Sequence, residues 1–344
     1  MNTTDWVAVR RIVPELMDVF QNRLRILQRV AALGPVGRRA LAQAIGQSER
    51  TLRSELDVLR SQGLLHSSSS GVSLSDEGHT LLGMLEPVAA VVAGRSDVAW
   101  ALSQALGIPK VVVVEGDSDV DEWVKERIGA TAAELLLQSL QDGDIVAVTG
   151  GTTVAALANA MPAKSSVRDI QVVPARGSVG ETVAYQANTV AATLADRLGG
   201  KSIMLHIPDS LSPQAFEQLL GDPYIQQRLP LIRSASVVVH GIGDAFAMAR
   251  RRQASEEELR VLREREAMAE AFGYYFNRDG EVAYSMKTIG LRLSDIEHVR
   301  VVLAVAGGSD KATAIAAAAK AYRIDMLVTD EGAAHRLLQT DSHK

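Results

Sequence analysis

"AVTGGTTVAAL", residues 147–157, decides how the rest of the chain is read. A short apolar run ends at Thr149, Gly150-Gly151 and Thr152-Thr153 follow, and an Ala/Leu-rich stretch of helical character comes next. A strand that passes into a helix through paired glycines is a unit of an α/β fold. The turn is also a common anion site, because glycines let backbone N–H groups close on a phosphate while the helix points its positive end there. These residues leave open whether such a phosphate is turned over or only sensed.

Working outward, apolar runs rich in Val, Ile and Leu predict strands over 110–115, 144–149, 170–174, 202–207, 235–240, 300–306 and 325–329. They lack polar alternation, which indicates burial on both faces of a doubly wound, mostly parallel sheet covered by helices. Ligands of such sheets sit beyond the carboxyl ends of the strands. The loops there are "TGGTT" (149–153), "ARGSVGE" (175–181), "GIGDA" (241–245) and "AGGSDKATA" (306–314). Gly307-Gly308 repeats the design of Gly150-Gly151, so the pattern predicts two phosphates, although either pair alone also reads as an ordinary tight turn. Arg176 and Lys311 would add full charges, and Thr152 and Thr153 would donate hydroxyl hydrogen bonds. Arg250-Arg251-Arg252 reads either as a solvated face or as a lid over the second phosphate, with Glu270 accepting from sugar hydroxyls. Phe246 stands where a dinucleotide fingerprint needs its third glycine, and no Walker A lysine occurs at its spacing. No two histidines lie three or four residues apart, so no metal site is expected, and His206 and His240 are expected to be satisfied packing residues at strand ends.

Upstream, Ile12, Leu16, Val19, Leu24, Leu27 and Val30 predict a helix over 11–33, closed by Gly34-Pro35. "GRRALAQAIG" (37–46) is a second helix. Ser48 caps a third, which sets Leu52, Leu56 and Leu59 on one face and Arg50, Arg53 and Arg60 on the other. A hairpin with its tip at 67–71 and a helix over 76–85 complete a winged helix-turn-helix, whose third helix enters a DNA major groove. Gln47, Ser48, Arg50, Thr51 and Arg53, with Arg38 and Arg39, are the candidate DNA contacts; the other reading is the solvated face of a three-helix domain. Pro87 and Gly94 bracket a linker helix, so the expected parts are 1–88 for DNA and 89–344 for effector binding and oligomerisation.

With 344 residues, 47% of them hydrophobic, the chain can bury two ordinary cores. The absence of cysteine excludes disulfides, thiolate metal sites and cysteine nucleophiles, and suits a reducing cytoplasm. Asp5, Arg10, Arg11, Glu15 and Asp18 break the pattern of a secretory signal, and the longest apolar stretches, 89–93 and 312–319, fall short of the ~20 residues that cross a bilayer. The net charge of -5 is uneven: residues 1–80 hold ten Arg and no Lys against eight acids, net +2, and the remainder is -7. An Arg-rich module on an acidic body suits forked contacts to phosphate and guanine.

In order along the chain, residues 37–65, "VTGGTTVAALA" (148–158), "PARGSVGE" (174–181) with "YQANTVAA" (185–192), "GIGDAFAMARRR" (241–252), "AEAFGYYF" (269–276) and "AGGSDKATAIAAA" (306–318) resemble the SorC family of sugar-responsive bacterial regulators. The resemblance implies a winged-helix operator-binding domain, homodimers or homotetramers, and an effector domain similar to sugar-phosphate isomerases that lacks catalysis. The implied effector is fructose 1,6-bisphosphate, with no cofactor or metal. It implies effector contacts at Gly150, Gly151, Thr152, Thr153, Arg176, Gly177, Gln186, Asn188, Arg251, Glu270, Gly307, Gly308 and Lys311, with the register of Arg251 open by one. Two residues depart from the family pattern: Ser178 replaces a second glycine, and Asp310 replaces a small neutral residue. The alternatives are a sugar-phosphate isomerase or deaminase with an N-terminal dimerisation module, using acids such as Glu270 and Asp310, and a DNA-binding nucleotide sensor.

Overall fold

The computed structural model describes residues 12–92, 94–163, 167–178 and 182–341. Residue 11 of the first expected helix and residues 179–181 of the expected loop "ARGSVGE" lie outside the described residues. The chain divides into two compact units, residues 1–97 and 98–344.

In the first unit, helices Pro14–Leu33, Arg38–Ile45 and Glu49–Ser61 lead to a hairpin of β1 (Leu65–Ser68) and β2 (Gly71–Leu74), followed by helix Asp76–Val92. Ile26, Leu27 and Val30 of the first helix pack with Leu41, Ile45, Leu52, Leu56 and Leu59, and with Leu65, Val72 and Leu74 of the hairpin, and Leu24 is buried as well. The front of the first helix departs from its apolar spacing, since Ile12, Leu16 and Val19 are exposed. The last helix passes the expected end at residue 85, and Pro87 removes one backbone donor without ending it.

The second unit is built on a seven-stranded sheet. Its strands are β3 (Lys110–Val114), β4 (Ile145–Val148), β5 (Gln171–Pro174), β6 (Lys201–Ser202), β7 (Val237–Gly241), β12 (Val301–Val305) and β13 (Met326–Asp330), in the order β3-β13-β12-β7-β4-β5-β6. Every pairing is parallel. Successive side chains point to opposite faces, and both faces are apolar. Val146, Val148, Val237, Val239, Leu303 and Val305 join one core with helices Trp123–Ser139, Thr152–Ala160 and Ala187–Leu198. Ala147, Val238, Val302 and Ala304 join the other, with helices Pro223–Arg233 and Ala312–Ala321.

The strand expected over 202–207 is two residues long. Beyond it, the Asn188 carboxamide takes the place of a strand partner, donating to Leu205 O at 3.0 Å and accepting from Leu205 N at 2.9 Å. A four-stranded antiparallel sheet stands beside the main one: β8 (Gly243–Asp244), β9 (Ala269–Ala271), β10 (Tyr274–Phe276) and β11 (Val282–Ser285), ordered β11-β10-β9-β8. Phe272 and Gly273, with φ of 55° and 84°, form the two-residue turn between β9 and β10.

Candidate functional site

Strands β12, β7, β4 and β5 are neighbours, so the four loops singled out in the sequence leave the same edge of one sheet side by side. At the usual strand spacing, the turn after β4 and the turn after β12 stand about 10 Å apart.

In the turn after β4, Gly151 N donates to Tyr185 O at 2.8 Å, and a Cβ on Gly150 would collide with the same carbonyl. Part of the glycine signature thus serves the close approach of residues 185–187. Thr152, half-buried, and Thr153, buried, head the following helix, where unpaired amides and the helix dipole favour an anion. Gln186 is half-buried at the start of helix Ala187–Leu198, and both ends of the Asn188 carboxamide are committed to Leu205.

After β5, Arg176 is buried and fully engaged. Its guanidinium grips both oxygens of Asp209 and donates to Glu270 Oε1 at 2.8 Å. Arg252 closes the other side, reaching Asp209 Oδ2 at 2.9 Å, Glu270 Oε1 at 3.2 Å and Tyr275 Oη at 3.0 Å. Two arginines and two carboxylates thereby neutralise one another inside the protein, which is what burial of charge requires. Burial pushes the Glu270 carboxyl up, but Arg252, Arg176 and the Gly273 amide outweigh it and hold it at about 2. Arg251 is exposed, one residue away. Gly177 lies against the backbone of Pro208, and Ser178 bridges to Pro208 without positive φ, so the departure from glycine there is accommodated by ordinary backbone.

The turn after β12 carries its own anions. Gly308 N donates to Asp330 Oδ2 at 2.8 Å, Ser309 N to Asp117 Oδ1 at 3.3 Å and Asp310 N to Asp119 Oδ2 at 2.8 Å. Asp310 itself is exposed. Burial pushes the Lys311 ammonium below the ordinary lysine value, Lys125 and Arg251 add to this, and Asp119 and Asp330 oppose it.

His206 is exposed, contrary to its expected packing role, because the segment after β6 leaves the sheet. His240 is buried against Phe272 and Tyr322, but only partly satisfied: Nδ1 lies 3.0 Å from Gly241 O and Nε2 has no partner. Burial pushes it down to about 4, so it is neutral near pH 7. Among the described residues no group of three or more acidic or histidine side chains is arranged to hold a metal ion.

In the first unit, Arg38 and Arg39 open the second helix, and Arg50, Thr51 and Arg53 lie exposed on the first turns of the third. Ser48 caps that helix by accepting from Thr51 N at 3.1 Å. Gln47 is half-buried and donates to Asn22 of the first helix.

The Sugar-bind family of sugar-binding domains matches residues 91–339, and the CggR N-terminal DNA binding domain matches residues 19–89. A central glycolytic genes regulator of Priestia megaterium is 44% identical over 331 residues, covering 96% of this chain and 97% of the relative. One from Bacillus subtilis is 41% identical, covering 97% and 98%. A solved structure described as a SorC family transcriptional regulator from Enterococcus faecalis is 40% identical, with a TM-score of 0.66 over 70% of this chain and 99% of that one. The chain belongs to the SorC family.

The full-length SorC of Klebsiella pneumoniae, at 22% identity, shares the fold over 91% of this chain and 98% of its own, with a TM-score of 0.66. As a SorC family member the chain is a transcriptional regulator with a DNA-binding and a sugar-binding domain, and not an enzyme. Two residues of the buried ion network beside these SorC-type loops escaped the sequence reading. Arg252, rather than Arg251, joins the buried network. Asp209 lies three residues beyond the first residue of "HIPDS" (206–210), just past the end of the expected strand 202–207, where the rule of strand-end loops points.

Proposed function

We propose that this chain represses glycolytic or other sugar-metabolism genes by binding operator DNA through residues 1–88. A phosphorylated sugar, fructose 1,6-bisphosphate, fills the cleft in residues 89–344 and relieves or rearranges that binding. The observation that carries the reading is the pair of turn-to-helix anion loops after β4 and β12, two strands apart in one sheet, in a chain that also has a DNA-binding domain. A six-carbon sugar phosphorylated at both ends matches a separation of about 10 Å. The names of the relatives at 44% and 41% identity support the choice of genes. A homodimer or homotetramer fits a palindromic operator, whose half-sites mirror protein symmetry. Catalysis gains no support from Glu270: a carboxyl held at about 2 between two arginines exchanges no proton near neutrality.

Thr152, Thr153, Lys311 and Arg251 are the groups we assign to phosphate, and Arg176, Arg252, Asp209 and Glu270 to the frame that shapes the sugar pocket. Operator binding followed by fluorescence anisotropy, with fructose 1,6-bisphosphate, fructose 6-phosphate or a nucleoside triphosphate added, tests this. The bisphosphate is expected to shift operator affinity by roughly 5- to 150-fold, a usual range for allosteric coupling. It should be recovered unchanged, and the nucleotide should do nothing. An operator affinity indifferent to every sugar phosphate, or consumption of the compound, removes the reading.

A further inference from the structure

The turn after β12 has the form of a phosphate cradle, yet a carboxylate from this same chain already sits in it. Asp119 comes from the turn that follows β3. Its Oδ2 accepts from Asp310 N at 2.8 Å, and it packs so closely on Gly308 that any Cβ there would collide with it. Gly308 holds φ of 100°, a conformation that favours glycine, and so presents this bare surface.

The three carboxylates at the cradle are held differently. Asp330 is wholly buried and accepts from Gly308 N, Ser118 N and Ala333 N, as a fixed part of the floor. Asp117 packs against Gly332 and accepts from Asp119 N at 2.9 Å and, more distantly, from Ser309 N. Asp119 is exposed, on a turn whose next residue, Val120, is 85% exposed. It is the carboxylate that can leave without emptying the core. Lys311 is held below the ordinary lysine value first by burial and then by the charges of Lys125 and Arg251, and Asp119 and Asp330 are the carboxylates that oppose this. A lysine that feels one exposed, removable carboxylate would be better satisfied by a phosphate of nearly two charges, with more acceptor oxygens.

We propose that Asp119 occupies the position of the second phosphate in the unliganded chain, and that the bisphosphate expels it, so the 116–121 turn moves whenever that phosphate binds. This rests on reading the cleft as a phosphorylated-sugar site. Expulsion costs the carboxylate its charge-assisted bond to Asp310 N, and a ligand held only at the turn after β4 is spared that cost. Asp119 thereby helps set the selectivity between ligands phosphorylated once and twice. Trp123 begins the next helix, with its N donating to Asp121 Oδ1 at 3.1 Å, so the movement ends beside a fluorophore.

Calorimetric titration of the full-length wild type, Asp119→Asn and Asp119→Ala with fructose 1,6-bisphosphate and with fructose 6-phosphate tests this, together with hydrogen exchange of residues 116–121. Both variants are expected to bind the bisphosphate roughly tenfold tighter, the scale of one charge-assisted hydrogen bond, and the monophosphate with a clearly smaller gain. In the wild type, saturating bisphosphate should speed exchange in the turn. Unchanged or weaker bisphosphate binding by both variants overturns the proposal, as does tighter binding with exchange in the turn unaltered. The wild-type titration tests the underlying reading separately: no binding of either sugar phosphate removes the proposed function and this displacement together, whereas tight wild-type binding matched by the variants removes the displacement alone.

Discussion

At the scale of single residues, the decisive group is the buried quartet of Arg176, Arg252, Asp209 and Glu270, whose side chains are 2 to 6% exposed. Removing one carboxylate leaves two guanidinium groups sharing the other, and breaking a buried pair from one side costs about 3 to 5 kcal/mol. Glu270→Gln should therefore lower the unfolding free energy of residues 98–344 by about that amount, read by urea denaturation at pH 7. The sign with pH follows from the direction of the shift. A carboxyl held at about 2 stabilises the folded state above its ordinary value and loses that contribution as pH falls toward about 2. The glutamine variant should lack this part of the acid-linked loss, so wild-type and variant stabilities should converge between about pH 4.5 and 2. A constant gap over that range would show that Glu270 is not held by the arginines. Arg176 and Glu270 were legible because each lies within a recognisable segment, Pro-Ala-Arg-Gly or Ala-Glu-Ala-Phe-Gly. Their mutual pairing was not, since 94 residues separate them and no local pattern encodes an ion pair of that span. Choosing between Arg251 and Arg252 was beyond the sequence for a similar reason: the helix ends at Arg251, and only the packed structure shows that Arg252 turns inward.

At the scale of elements, burial explains what could be read. Six of the seven strands of the main sheet announced themselves because both faces are covered, which forces apolar runs such as 237–239 and Val301–Val305, whereas β6, Lys201–Ser202, is exposed and barely overlaps the expected 202–207. The second sheet stayed hidden. Its strands are two to four residues long, and the turn joining β9 to β10 places Phe272, not Asn or Asp, at its first positive-φ position. Burial of Phe272 against His240 and Tyr322 holds that backbone in place, a tertiary effect invisible in a short window. The third helix of the first unit shows the opposite case, a local rule that carries over intact. Ser48 was expected to cap it and accepts from Thr51 N at 3.1 Å. Ser48→Ala should lower the stability of the DNA-binding unit by about 1 kcal/mol, and Ser48→Gly by only a few tenths. Thermal unfolding followed by circular dichroism checks the order. Equal effects of alanine and glycine would mean that the hydroxyl does not act as a cap.

At the scale of the molecule, the uneven charge and the change from helical spacing to alternating strands and helices already separated an Arg-rich part from an acidic one. What the sequence carries no trace of is how far one part responds to the other, because coupling is a difference between states and not a property of either. If the proposed effector weakens operator binding by some factor, linkage requires the operator to weaken effector binding by the same factor. The two measurements are independent: anisotropy of labelled operator at rising bisphosphate, and calorimetry of bisphosphate with and without saturating operator. Both should return one number between roughly 5 and 150. A bisphosphate affinity unaffected by the operator would break the link between cleft and DNA, even if both ligands bind tightly. Unequal factors would mean that the species compared differ in subunit number, since reciprocity holds only within one set of binding states. Repeating the pair of titrations at a second protein concentration separates these outcomes, because assembly makes both factors depend on concentration and a fixed oligomer does not.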